Sequence, residues 1–313
     1  MFSNKNEKII IVGFGWVGQA NAIALSKAGY NVSFFDIQDP VFRYVDKYGD
    51  DYGVISRISN LEDVDSEDTW YIVCVGDRVL EDGTQDISAI EKALKSLENL
   101  EGGVILRSTI LPDKLKDLNF NFYVPEFLHE KKAIEESILP QYYVVGIKDD
   151  SKGEPSFLKL WESTSTKTFK GTPEEASHIK YLSNLWNSMR IAFVNEIGNT
   201  ISVPKDKESL NRIENIIDFF FERKAYLRYG KSYGGHCLPK DTHAYSAFYS
   251  NNGKDVPLIK SVHLSNLNHR NLEEEYDGIP EWFSEWERPQ ISGRVALRAL
   301  FSSIKRNIQK VFK

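Results

Sequence analysis

Residues 8–36 read KIIIVGFGWVGQANAIALSKAGYNVSFFD, and three periodicities follow one another inside them. Lys8–Val12 is a short β-branched run that reads as a strand. It breaks into Gly13-Phe14-Gly15-Trp16-Val17-Gly18, after which Ala20, Ala22, Ile23, Leu25 and Ala28 continue at helical spacing until Gly29. Asn31–Phe35 has strand character again and ends on an acid, Asp36. A lone G-x-G-x-x-G carries little information, but between a strand and a helix, with an acid closing the next strand, it reads as a dinucleotide turn. Gly13, Gly15 and Gly18 would allow the tight turn, the close approach of a pyrophosphate and the packing of helix on strand. The helix start at Trp16 and Val17 would favour the phosphate charge. An acid at Asp36 accepts hydrogen bonds from both ribose hydroxyls and repels a 2′-phosphate, so NAD is expected rather than NADP.

Strand and helix patterns go on alternating beyond this unit. Thr69–Val75 is a buried strand that contains Cys74, Asp86 caps a helix through about Asn99, and Gly103–Leu106 leads into Ser108-Thr109. Phe122–Val124 leads into Pro125-Glu126-Phe127-Leu128, and Tyr142–Gly146 is a further strand. Such alternation predicts an α/β fold, a Rossmann-like doubly wound parallel sheet with helices on both faces. The loops at the strand ends, with Val75, Ser108 and Thr109, would then face the cofactor. A second regime starts at Pro173. Ile179, Leu182, Leu185, Trp186, Met189, Phe193, Ile197 and Ile201 recur at helical spacing, so one long central helix is expected over 174–201, with Lys180 and Asn184 as an i, i+4 pair on one face. Residues 208–229 predict another helix with a bulky face, followed by short helices over 242–249 and 256–267. The expected organisation is a nucleotide-binding domain over 1–172, a central helix with a small α-helical domain over 173–270, and a tail over 271–313.

A chain of 313 residues is long for a single core, which agrees with two domains. A formal charge of -6 argues against a general affinity for nucleic acid, leaving room for a local basic patch. Two cysteines, Cys74 and Cys237, make no disulfide framework. A short polar N-terminus and no apolar run of spanning length lead to the expectation of a cytoplasmic protein. No metal site is expected.

The second informative stretch is Ser232–Asp241, SYGGHCLPKD. It sets Cys237 after a glycine pair that lets a substrate approach the main chain, before a proline that stiffens the exit from the loop. A thiol attacks as its thiolate, and a cation such as Lys240 would favour that form. The alternative is a small buried cysteine in a tight turn.

Taken together, the motifs resemble the UDP-glucose/GDP-mannose dehydrogenase family of nucleotide-sugar 6-dehydrogenases, most of all its UDP-glucose branch. The glycine turn and Asp36, the turn Asp82-Gly83-Thr84-Gln85-Asp86, Ser108-Thr109, Pro125–Leu128, Lys180, Asn184 and Asn195-Glu196-Ile197, and Gly234–Asp241 stand in the family's order over residues 8–270. The resemblance implies oxidation of a primary alcohol to a carboxylate with two NAD, through a thiohemiacetal and a thioester on Cys237. It further implies Glu126 as general base in hydrolysis, Lys180 and Asn184 as oxyanion donors, and Asp241 with Thr109 placing the water or alcohol. Phe127, Leu128, Lys180, Asn184, Tyr226, Tyr233 and Gly234 would contact the sugar. Truncating Lys180 is expected to leave folding nearly untouched yet to cost turnover severely, about 10²–10³ in rate. The family also implies a homodimer through the central helix and a role in polysaccharide precursor synthesis.

Three departures stand out. Asp77-Arg78 replaces the family's usual Thr-Pro after the fourth strand and places a charged pair near the cofactor, and the segment after Asp36 lacks the usual helix, leaving the adenosine side more open. The family continues into a further α/β domain, whereas only residues 271–313 follow here. In these residues, Trp282, Phe283 and Trp286 precede a stripe of Leu297, Leu300, Phe301, Ile304, Ile308, Val311 and Phe312, whose other face carries Arg294, Arg298, Lys305, Arg306, Lys310 and Lys313. That pattern suits either an anionic membrane surface, making the protein peripheral, or docking on a protein partner or the protein's own acidic surface. Two other functions stay open: a homologue that binds NAD or a nucleotide sugar as an assembly or regulatory module, and a two-electron dehydrogenase with no use for Cys237.

Overall fold

The computed structural model describes residues 7–222, 224 and 226–281. The tail motifs from Trp282 onward, including the basic stripe, lie outside the described residues. The chain forms two units: the first takes in residues up to Asp77 together with Asp86–Lys180, and the second takes in Arg78–Gln85 and the described residues from Tyr181 on.

The first unit is built on an eight-stranded sheet. Its strands are β1 (Lys8–Val12), β2 (Asn31–Phe35), β3 (Ser56–Arg57), β4 (Thr69–Val73), β7 (Gly103–Leu106), β8 (Phe122–Tyr123), β9 (Tyr142–Ile147) and β10 (Lys167–Gly171). They lie in the order β10-β9-β8-β7-β4-β1-β2-β3. The numbers β5 and β6 belong to a two-stranded ribbon, Arg78–Val79 with Gln85–Asp86. Because side chains alternate across a strand, Ile9, Ile11, Ile72 and Ile105 enter one core while Ile10, Val12, Val73 and Leu106 enter the other. On the first face pack α1 (Trp16–Lys27), α4 (Ala133–Ile138) and α5 (Ser156–Thr164); on the second packs α3 (Ser88–Lys95). The short α2 (Val45–Tyr48) interrupts the irregular stretch after β2.

The expected all-parallel sheet needs correction at β9, which pairs with β8 antiparallel, Tyr123 opposite Gly146. A six-residue helix such as α4 rises only about 9 Å, too little to carry the chain back along a six-residue strand of about 20 Å. The chain therefore re-enters the sheet running the other way. α5 then makes the longer crossover, and β10 lies parallel to β9.

In the second unit, α6 (Pro173–Ile201) is the long helix expected, with the division between units falling inside it after Lys180. The next helix is shorter than its sequence pattern. α7 (Lys207–Phe221) starts with a capping box between Asp206 and Ser209 and stops where Glu222 turns left-handed at φ 54°. Tyr229, which the helical pattern had included, instead lays its ring against Gly198, where a Cβ would collide with it. That contact explains the one glycine inside α6. α8 (Cys237–Asn251) begins earlier than expected, so Pro239 stands in its first turn, where a missing N–H costs nothing. α9 (Pro257–Glu273) completes the unit.

Candidate active site

The glycine turn between β1 and α1 is closed by packing. Gly13 has φ +90°, and a Cβ there would stand 3.0 Å from Val75 Cγ2 and 3.1 Å from the Cys74 carbonyl carbon; at Gly18 a Cβ would collide with the Gly13 carbonyl oxygen. Gly15 has nothing within 4 Å of its Cβ position, which leaves room for a ligand at the helix start. Asp36 is drawn to the same turn, accepting from Phe14 N at 2.6 Å through Oδ2 and from Gln38 N at 2.9 Å through Oδ1. The carboxylate keeps further lone pairs for ribose hydroxyls. Trp16 lies under the Arg43 guanidinium, 4.8 Å away, and Val17 takes the Asn21 amide on its carbonyl. The stretch after Asp36 is exposed at Ile37 yet tied at Val41 and Arg43, both hydrogen-bonded to the Gln19 side chain. Ser108 Oγ donates to the Val75 carbonyl at 2.5 Å, which joins the ends of two neighbouring strands next to Thr109. The turn, its open middle glycine and the acid fit a dinucleotide.

A second constellation in this unit is an ion pair buried behind Phe127. Lys180 Nζ lies 3.1 Å from Glu126 Oε1, with both side chains almost wholly buried. Glu126 Oε2 accepts from Leu128 N at 2.7 Å, and the Lys180 ammonium stands 5.3 Å from the Phe127 ring. Burial pushes the Glu126 carboxyl up, but Lys180, the Leu128 N–H and Arg107 outweigh it and hold the group below its ordinary range. The expectation that Lys180 is a side chain whose loss folding would ignore is overturned: a lysine 3% exposed with a carboxylate partner cannot be removed without stranding a buried charge.

In the second unit the cysteine turn is held from behind. Asn195, on α6, accepts from Gly230 N at 3.1 Å and donates to the Lys231 carbonyl; His269 Nε2 meets the Gly230 carbonyl at 2.8 Å. Asn266 bonds both the N–H and the carbonyl of Tyr233. The glycine pair that follows has open space at both positions, and Gly235 has φ +70°. Cys237 comes next as the first residue of α8 and is exposed. One turn on, Asp241 is 1% exposed and is bonded by Asn184 Nδ2 at 2.6 Å and by Lys240 Nζ at 2.6 Å. The lysine expected to serve the thiol is thus paired with the aspartate. Of the sugar contacts read from the sequence, Gly234 borders open space, Tyr226 has a left-handed backbone and lies 5.1 Å from the Arg190 guanidinium, and Tyr233 is fully buried among Ile191, Ala192 and Val262, its hydroxyl pushed up to about 12 by burial. Phe127 packs edge-on to Tyr142.

Residues 82–85 of the Asp82–Asp86 turn belong to this unit as well. A Cβ on Gly83 would collide with the Ala247 methyl on α8, and Gln85 donates to the Tyr181 hydroxyl at 3.2 Å. Asp77 and Arg78, expected as a charged pair by the cofactor, are divided, Asp77 closing a segment of the first unit and Arg78 opening the ribbon. Sequence reading missed Arg107, which is buried behind the Glu126 segment. Its signal was a charged residue directly after the fully apolar Gly103–Leu106.

A mostly parallel sheet and a glycine turn closed by its acid define a Rossmann-like fold. A UDP-glucose dehydrogenase from Pyrobaculum islandicum shares this fold with a TM-score of 0.70 at 22% identity, over 84% of this chain and 68% of that one. Residues 174–268 match the UDP-glucose/GDP-mannose dehydrogenase family, central domain, so the resemblance carried by the motifs holds. The GDP-mannose 6-dehydrogenase of Pseudomonas syringae pv. tomato is 26% identical, over 83% of this chain and 68% of its own length. The UDP-glucose 6-dehydrogenase of Campylobacter jejuni is 29% identical, over 82% and 70%. A GDP-mannose dehydrogenase from Pseudomonas aeruginosa, solved as a ternary complex, has a TM-score of 0.56 at 25% identity, over 83% and 68%. Among the described residues no helix is long and apolar enough to cross a membrane.

Proposed function

We propose that the protein is a cytoplasmic NAD-dependent dehydrogenase that oxidises the C6 hydroxymethyl of a nucleotide sugar, UDP-glucose first among them, to the uronate. The observation that carries this reading is the start of α8, where an exposed Cys237 stands one turn before a buried Asp241 held by Asn184 and Lys240. Gly13, Gly15, Gly18 and Asp36 would hold NAD, which when bound would supply the hydride acceptor for both oxidations. The Cys237 sulfur adds to the C6 carbon of the aldehyde, and the oxyanion takes hydrogen bonds from Lys180 and Asn184. Loss of hydride from that adduct leaves a thioester. Glu126 takes a proton from water as its oxygen attacks the thioester carbon; the C–S bond breaks, and the thiol and a carboxylate result. Asp241 and Thr109 order the water.

The relatives named above divide between UDP-glucose and GDP-mannose. The decisive experiment therefore follows NADH with each of the two sugars, in the wild type and in Cys237→Ser. Two NADH per UDP-glucose, with the second lost in the variant, supports the reading. NAD binding without NADH from either sugar refutes it in favour of a binding module.

A homodimer through α6 is part of the proposal. Leu182, Trp186, Phe193 and Ile197 recur on one face of the helix and are exposed in the single chain, an apolar stripe that a second copy would cover. Sedimentation of Trp186→Glu and Phe193→Glu tests it, since charge in that stripe should yield monomers.

A further inference from the structure

We propose that Arg107 is a positioning residue for Glu126: its guanidinium, buried between the Trp161 ring and the Val124 carbonyl, supplies a second positive charge to that carboxylate beside Lys180. The inference rests on the reading of Glu126 as the base in thioester hydrolysis. Arg107 follows β7 directly, its N–H bonded to the Val73 carbonyl, so its backbone is fixed by the sheet. The side chain is 6% exposed, lies 4.6 Å from the Trp161 ring and donates from Nη1 to the Val124 carbonyl at 3.3 Å. Val124 opens the segment that carries Glu126, and its own N–H is bonded to Leu106. One arginine thereby grips the strand end from which the base projects. Its Nε is buried with no hydrogen-bond partner, and Arg107 lines a cavity together with Val124, Pro125, Phe127 and Leu128. A guanidinium left partly unbonded in such a place costs stability, which points to a task other than holding the fold.

That task follows from what faces Glu126. Lys180 comes from α6, Arg107 from the end of β7, and Cys74 from the end of β4. Burial drives the Cys74 thiol up to about 12, so it stays neutral and leaves the two cations unopposed. Burial alone would protonate Glu126, and a protonated carboxyl cannot accept a proton from water. Lys180 is also assigned to the oxyanion, so its charge must serve two partners during turnover. Arg107 has no such second duty and keeps the base ionised throughout.

The test uses the full chain with Arg107→Met, Arg107→Gln and Arg107→Lys. Glu126 ionisation is read directly, as the infrared carboxyl band that disappears in the matching Glu126→Gln protein, alongside the pH dependence of uronate release. In the neutral variants both the band and the low-pH limb of turnover should move up together, with a loss of rate on that limb. Arg107→Lys should move both back towards the wild type. Gln can still donate to the Val124 carbonyl, so it carries the test where Met does not fold. A folded neutral variant in which Glu126 titrates as in the wild type overturns the role of Arg107. A band that moves while the limb stays put upholds that role and instead overturns Glu126 as the base.

Discussion

The two glycine turns of this protein are glycine-rich for opposite reasons. Between β1 and α1, Gly13 and Gly18 have no room for a side chain, because the protein fills the space itself. Before α8, Gly234 and Gly235 border open space, and no neighbouring atom would meet a Cβ at either position. A packed glycine serves the fold, whereas an open one leaves the backbone accessible from outside. The same contrast separates the two reactive side chains, since Lys180 is buried against Glu126 while Cys237 is exposed.

The sharpest way to use this contrast is Cys237→Ser. Uronate formation should fall by about 10⁴-fold or more, while the melting temperature stays within a degree or so of the wild type, because an exposed side chain contributes little packing. A large drop in melting temperature would mean that the open turn is structural after all. Lys180→Met should lose turnover and stability together. Leaving Glu126 buried without its partner costs about 3–5 kcal/mol, read as a shift of the urea midpoint. This cost depends on pH with a definite sign. The Glu126 carboxyl is held below its ordinary range in the folded protein, so the ion pair stabilises fully above the unfolded carboxylate range, and that contribution is lost as pH falls through the folded value. The difference between the wild type and Lys180→Met should therefore be largest near neutrality and shrink on acidification.

Within the turns themselves, Gly18→Ala should destabilise by about 1–3 kcal/mol as an overpacked site and weaken NAD binding measured by calorimetry. Gly235→Ala should cost only about 1 kcal/mol, from its positive φ. Equal losses at the two glycines would abolish the distinction.

Much of this was legible in the sequence because it is local. The strand, glycine turn, helix and acid of residues 8–36 follow one another without interruption, and each element announces the next. The long run of helical spacing in α6 was legible for the same reason. What escaped was set by distant partners. No spacing reveals that Lys180 meets Glu126, 54 residues away, or that Arg107 lies under Trp161. α7 stops at Phe221 although its apolar pattern runs on, because Tyr229 finds a better place against Gly198. β9 reversed direction because the helix before it was too short, and β10 and α5 lay in a stretch with no clean period.

The ribbon at residues 78–85 carries a consequence for how the molecule is made. Its Gly83 packs on Ala247 and its Gln85 on Tyr181, so a piece of the second unit is synthesised while the first is only half finished. On the ribosome this loop must emerge and wait, unpartnered, until α8 has left the exit tunnel. An excised fragment covering only residues 174–268 would lack it altogether and expose the surface it covers. Gene fusions and truncations that cut near Pro173 should therefore yield a protein prone to aggregation unless the ribbon is supplied in trans.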